Sequence, residues 1–186
     1  NITPDSFFDG GSYKNDKAII SKVEKMLIEG ATFIDIGAYS SRPGAKHISE
    51  EEELERILPV VKVLVKEFPE ILISIDTFRS IIAKKCIENG ACIVNDISAG
   101  SMDTRMFKTI AKLQVPYIIM HMKGKPKNMQ EKPIFKNVVK EIKDYFVKKI
   151  IQHLLNLQSC KATEFFKFSL PSVSRSSSHR LANRAP

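Results

Sequence analysis

From residue 16 to about residue 158 the chain alternates between helical and strand patterns, and that alternation limits its possible folds more than any other feature. Ile19, Ile20, Val23, Met26 and Leu27 recur at helical spacing and run into Gly30, a suitable C-terminal cap. Residues 31–37 (ATFIDIG) then read as a strand of the kind that a parallel sheet buries on both faces. Ser49 and Glu52 form a capping box before an acidic first turn, and Leu54, Ile57, Leu58, Val61, Leu64, Val65 and Phe68 make one apolar stripe. The cycle repeats with a strand at 71–76, a helix at 79–88 closed by Asn89 and Gly90, and a strand at 92–96. A helix at 103–113, a strand at 115–120 and a long helix at 134–157 complete it.

Strands joined through helices of this length pair in parallel, so the fold class is α/β with right-handed crossovers. An open doubly wound sheet would favour one Gly-rich phosphate turn before a helix. Here polar clusters follow successive strands instead, as they do on the C-terminal face of a (β/α)8 barrel of the TIM type. The clusters are residues 1–5, 37–44, 76–77, 95–96 and 120–122.

Charge and composition narrow the function classes. The net charge is +8, and residues 159–186 carry five Lys and Arg against one acid, which is half of that excess. No RNA-stacking motif or recognition-helix pattern organises the basic residues, so a solvated surface is the expectation rather than nucleic-acid binding. No run approaches the roughly 20 apolar residues of a membrane span, and a cytoplasmic protein is expected. Cys86, Cys92 and Cys160 lack paired spacing and read as free thiols.

Several side chains in the loops have chemistry suited to a ligand. Asn1 offers a neutral hard oxygen that suits Mg2+ when phosphate oxygens and waters complete the shell. Arg42 can pair with a phosphate or carboxylate, and the following Pro43 and Gly44 fix the turn that presents it, with the Ser41 hydroxyl beside it. Asp76 and Asn95 end neighbouring strands; taken alone such residues read as helix caps before ligand groups, although a carboxylate with an amide also suits the edge of a heterocycle. Asp96 fits capping better. Asp35 reads equally as a buried structural carboxylate or as a ligand neighbour, and His121 as part of a loop rather than a catalytic base.

Five stretches in order, residues 1–11 (NITPDSFFDGG), 35–45 (DIGAYSSRPGA), 75–77 (IDT), 95–97 (NDI) and 120–130 (MHMKGKPKNMQ), make the sequence resemble the pterin-binding enzymes, most closely the dihydropteroate synthases. The resemblance spans residues 1 to about 158. It implies a barrel enzyme of folate synthesis, a transferase that condenses 6-hydroxymethyl-7,8-dihydropterin diphosphate with p-aminobenzoate and that sulfonamides inhibit. It further implies Asn1 as the ligand of Mg2+, Asp76 and Asn95 as pterin residues, Ser41 and Arg42 as substrate-binding residues, and Asp5 and Arg42 as the groups that close and charge the site. A homodimer is a property of the full-length family.

Departures from the family lie in the loop and at both ends. Ser41 stands where threonine is usual, and residues 37–39 (GAY) replace Gly-Gly-Glu. The family's first strand before Asn1, its Asp-Pro-Gly, its Gly-Lys segment and its Ser-Arg-Lys motif have no counterpart. The expectation is therefore a domain at 1–158 with about five of eight βα units, followed by a serine-rich basic tail at 159–186, disordered or non-native. Two other readings stay open: a pterin-binding methyltransferase domain, which would lack the Ser-Arg-Pro-Gly loop, and a catalytically inactive pterin-binding fragment.

Overall fold

A computed structural model describes residues 1–2, 13–40, 47–124 and 134–168, with backbone alone for 13–15 and 161–168. Nine elements follow one another among these residues: α1 (Tyr13–Ile28), β1 (Ile34–Ile36), α2 (Glu50–Glu67), β2 (Ile73–Asp76), α3 (Ser80–Ile87), β3 (Ile93–Asp96), α4 (Met106–Leu113), β4 (Tyr117–Ile119) and α5 (Val138–Phe168). The four strands are parallel, and their order across the sheet, β1-β2-β3-β4, is their order in the chain. Each crossover therefore steps the same way, and consecutive helices pack side by side along one face. A doubly wound sheet reverses direction at its switch point; this sheet has no reversal and follows part of a barrel wall, as the distribution of polar clusters predicts.

Local chemistry sets the element ends. At α2 the Ser49 Oγ accepts from the Glu52 N–H at 3.1 Å, which is one half of the expected capping box; the Glu52 carboxylate turns instead to Arg56. α1 and α3 close alike. Ala31 N donates to Met26 O at 2.9 Å and Gly30 N to Leu27 O at 3.1 Å, while Ala91 N donates to Cys86 O and Gly90 N to Ile87 O, both at 3.1 Å. Both closures need a left-handed residue, and Gly30 and Gly90 supply it with φ of 99° and 104°.

The two sheet faces differ. Ile34, Ile36, Ile73, Ile75 and Val94 are buried beneath the helices, and with Ile57, Val61 and Leu64 of α2 and Ile82 and Cys86 of α3 they form the core. A second cluster joins Ala83, Val94, Met106 and Ile110. The opposite face carries Asp35, Ser74, Asp76, Asn95 and Ile118, of which Ile118 is 50% exposed. Burial on both faces, expected from the apolar strand at 31–37, thus applies to only one of them. Toward the strand exits that opposite face carries Asp35, Asp76 and Asn95, while Ser74 further back is buried.

Helix α5 extends to Phe168, beyond the end at Leu157 that the periodicity suggests, so the first residues of the expected tail are helical. No glycine or proline interrupts the sequence between Pro133 and Pro171. The remainder of that tail, from 169 onward, lies outside the described residues. Cys86, Cys92 and Cys160 are free, as expected.

Candidate functional site

Parallel pairing brings the polar strand ends together. Asp76 and Asn95 are register partners on β2 and β3, and Asp35 lies two residues back from the exit of β1 on the same face. The Asn95 Nδ2 donates to Asp35 Oδ2 at 3.3 Å, so the residue whose role the sequence left undecided orients the amide beside it. Asn95 Oδ1 is then the face that the amide offers to a ligand.

Asp76 is half-buried, and Gly37 makes its position possible: a Cβ on Gly37 would lie 3.1 Å from Asp76 Oδ2 and 3.2 Å from its Cβ. Burial pushes the Asp76 carboxyl up to about 6, and the nearby charges of Asp35, Glu53 and Asp96 add to the effect. At neutral pH it remains an anion. A partly desolvated carboxylate ringed by others is primed to accept from N–H groups of a ligand, since each such bond relieves its unfavourable surroundings.

Residues 1–2 lie against the exit of β1, where Ile2 N donates to Gly37 O at 2.7 Å. Asn1 is exposed and lines a cleft with Asp35, Ile34 and Ile36 of β1 and with α1 and α2 residues. Among the described residues no group of three or more His, Cys, Asp or Glu could hold a metal ion. The donors present, one neutral amide oxygen with Asp35 nearby, fit a Mg2+ held chiefly by substrate oxygens and water rather than by a protein cage. Asp5, Ser41 and Arg42 lie outside the described residues.

The flanks of the Ser41–Arg42 loop are nonetheless described. The Arg79 guanidinium donates to Ile48 O at 2.6 Å and Ser49 O at 2.8 Å, and sits 5.3 Å from the Tyr39 ring centroid. It also pairs with the fully buried Glu53 at 2.5 Å, and Glu53 accepts from Thr77 Oγ1 at 2.7 Å. Burial raises the Glu53 carboxyl, opposed by the Thr77 hydroxyl and the Arg79 charge. Sequence reasoning missed this network: Glu53 falls in the acidic first turn of α2 and Thr77 at the end of the 75–77 stretch, and neither position signals a partner.

Asp96 is structural, but it holds a loop rather than capping a helix, since α4 begins only at Met106. Its oxygens accept from Ser98 N at 2.7 Å, Gly100 N at 2.8 Å and Tyr117 Oη at 2.7 Å, which fixes the loop after β3. His121 packs edge-on to Tyr145 at 4.8 Å and beside Phe135, as a loop residue would.

The family model described as pterin binding enzyme matches residues 1–155. The chain belongs to the pterin-binding enzyme family. Within that family it is 54% identical over 129 residues to the folic acid synthesis protein fol1 of Pneumocystis carinii, a match covering 69% of this chain and 17% of that protein. It is 40% identical over 145 residues to the dihydropteroate synthase of Streptococcus pyogenes serotype M1, with 78% and 52% covered. The mitochondrial folate synthesis bifunctional protein of Pisum sativum is 50% identical over 147 residues, with 76% and 28% covered. A solved Yersinia pestis dihydropteroate synthase in complex with a sulfonamide drug superposes with a TM-score of 0.75 at 38% identity, covering 84% of this chain and 56% of that one. A Xanthomonas albilineans dihydropteroate synthase with 4-aminobenzoic acid gives 0.72 at 34%, covering 84% and 54%. The chain thus spans about half the length of the synthases it matches, and less of the fol1 and bifunctional proteins. Among the described residues no helix is long and apolar enough to cross a membrane.

Proposed function

We propose that this chain carries the pterin-binding part of a dihydropteroate synthase, a transferase of folate synthesis that joins 6-hydroxymethyl-7,8-dihydropterin diphosphate to p-aminobenzoate. The observation that supports this most is the pairing of Asp76 with Asn95 in register at the open ends of β2 and β3, with Asp35 fixing the Asn95 amide. An anionic acceptor beside an amide acceptor matches the ring N–H and amino groups along a pterin edge.

In this reading Asp76 and Asn95 orient the pterin, so that its methylene faces the second substrate. The C–O bond to the diphosphate breaks with its electron pair leaving on oxygen, and the lone pair of the arylamine nitrogen forms the C–N bond. That nitrogen then releases a proton to the solvent-open mouth. Arg42 and Ser41 take up the diphosphate oxygens, while Asp5 belongs to the loop that closes over them. Asn1 would hold Mg2+; when bound, the ion supplies charge neutralisation at the departing diphosphate. Positioning and electrostatics, rather than covalent catalysis, carry such a reaction.

The relatives named synthases favour this reading over a methyltransferase, and the Ser40-Ser-Arg-Pro-Gly44 stretch supports it. The alternative is a second reading, a chain that binds pterin without turnover. The reading places the protein in the cytoplasm, whereas the pea relative is named as mitochondrial. Calorimetry with 6-hydroxymethylpterin diphosphate and Mg2+, followed by a product assay with p-aminobenzoate, tests it. Binding that falls at least about tenfold in both Asp76→Asn and Asn95→Ala is expected, since each removes a bond to a partly buried ligand. Equal affinity in the variants, or none in the parent chain, overturns the assignment. Binding without product supports the second reading.

A further inference from the structure

The Glu53–Arg79 ion pair is an expensive feature for a helix-to-sheet interface, because both charges leave water and an apolar pair of similar volume would cost less. Its hydrogen bonds lead toward the pterin pair. Glu53 Oε1 accepts from Thr77 Oγ1 at 2.7 Å, and Thr77 directly follows Asp76. The Thr77 N–H donates in turn to Asn95 O at 3.0 Å across the exits of β2 and β3. One buried carboxylate on α2 therefore holds the residue that both continues from Asp76 and ties its strand end to Asn95. Arg79 keeps that carboxylate in place: its Nη1 reaches Glu53 Oε2 at 2.5 Å, and it is anchored to Ile48 O and Ser49 O.

We infer that Glu53 and Thr77 are positioning residues for the Asp76–Asn95 pair, an inference that rests on the pterin reading above. Neither touches the ligand in this account. They set the separation and direction of the two groups that do, and a chain lacking them folds with a looser pair. Strand ends are where such support matters, since the last ladder bonds there have water rather than sheet on one side. Glu53 also acts on Asp76 through space. The charges that act on the Asp76 carboxyl are those of Asp35 on β1, Glu53 on α2 and Asp96 on β3. Removing the Glu53 charge lowers the pH at which Asp76 titrates, an effect that a prop of the same shape without charge would not have.

The test uses the 186-residue chain with Thr77→Val, Thr77→Ser and Glu53→Gln. Three readings are taken: hydrogen exchange at the Thr77 amide, the Asp76 carboxyl titration by NMR, and the affinity for 6-hydroxymethylpterin diphosphate with Mg2+. Expected are exchange about tenfold faster and affinity about tenfold weaker in Thr77→Val, with Thr77→Ser within about twofold of the parent in both. Glu53→Gln should move the Asp76 midpoint downward. Thr77→Val with parental exchange at residue 77 and parental affinity, whatever its melting temperature, overturns the inference. If the parent binds no pterin while Thr77→Val still loosens that amide, the positioning holds and the pterin reading falls. Should Thr77→Val fail to fold, parental exchange at residue 77 together with parental affinity in Glu53→Gln overturns the inference.

Discussion

Asp76 is strained electrostatically by the surroundings that suit it to binding. Its carboxyl stands near 6 in the fold, mainly through burial and then through the charges of Asp35, Glu53 and Asp96, against 3.8 as a reference. The folded state therefore holds the Asp76 proton more tightly than the unfolded chain does. Stability from this group is fully present below about pH 4 and is lost as pH rises through about 6. At neutral pH the ionised side chain costs on the order of 1–3 kcal/mol. Asp76→Asn, which keeps the shape and removes the charge, is expected to raise the urea midpoint at pH 7 by that order, with the gain gone near pH 4, while pterin affinity falls. A variant that loses affinity and is also less stable at pH 7 would contradict this account. Asp76 and Asn95 were legible in sequence because each ends a short β-branched run. Asp35, Glu53 and Arg79 were not, since their partners lie 60, 24 and 30 residues away and only the folded sheet brings them together.

At the scale of elements, legibility followed the range of the capping interaction. The end of α1 and the start of α2 could be read because Gly30 and Ser49 act within one turn of their own helix. α3 differs: its N-cap, Arg79, makes no side-chain cap bond, and the role passes to Asp103 in the next crossover, whose Oδ2 accepts from Ser80 N at 2.8 Å. Asp103 also accepts from Arg105 N at 2.9 Å and Arg105 Nε at 3.0 Å. Burial opposes the charge on Asp103, but bonds from Arg105 and Ser80 outweigh it and hold the carboxyl well below the usual range. That stability is present above about pH 4 and is lost only as pH falls through the lower folded value. Asp103→Ala is expected to cost about 1–2 kcal/mol near neutrality, by loss of a cap between successive crossovers. Denaturant titrations should show the gap to the parent constant from pH 7 to 5 and narrowing only in strongly acidic solution. A gap that already closes by pH 5 would assign the stabilisation to some other group.

For the whole molecule, the same one-way crossover that gathers the site goes with apolar surface that is exposed among the described residues. The four-stranded wall exposes Ile118 on its inner face, and α5 exposes Ile150 and Ile151, each 52%, Leu154 at 50% and Leu155 at 61%. These α5 residues fall at spacings of three and four, so they share a stripe along the helix. The helix has an inner side already in use: Lys149 is nearly buried against Phe107 and Tyr145, and its Nζ donates to Ser101 Oγ at 2.7 Å. The apolar stripe is thus a second face, not the docking face turned outward. A contiguous stripe of this kind, together with the parallel strands at the sheet edges, drives association in water. Sedimentation of the chain at tens of micromolar, on the order where such patches act, is expected to show species larger than the monomer. Ile151→Glu with Leu155→Glu should shift the distribution toward monomer with the far-ultraviolet circular dichroism unchanged, because neither side chain belongs to the described core. If the double variant associates as the parent does, the sheet edges rather than α5 carry the contact. If the parent is monomeric throughout, neither surface is sticky enough to matter, and pterin titrations of the chain can be read as single-site binding without correction for assembly.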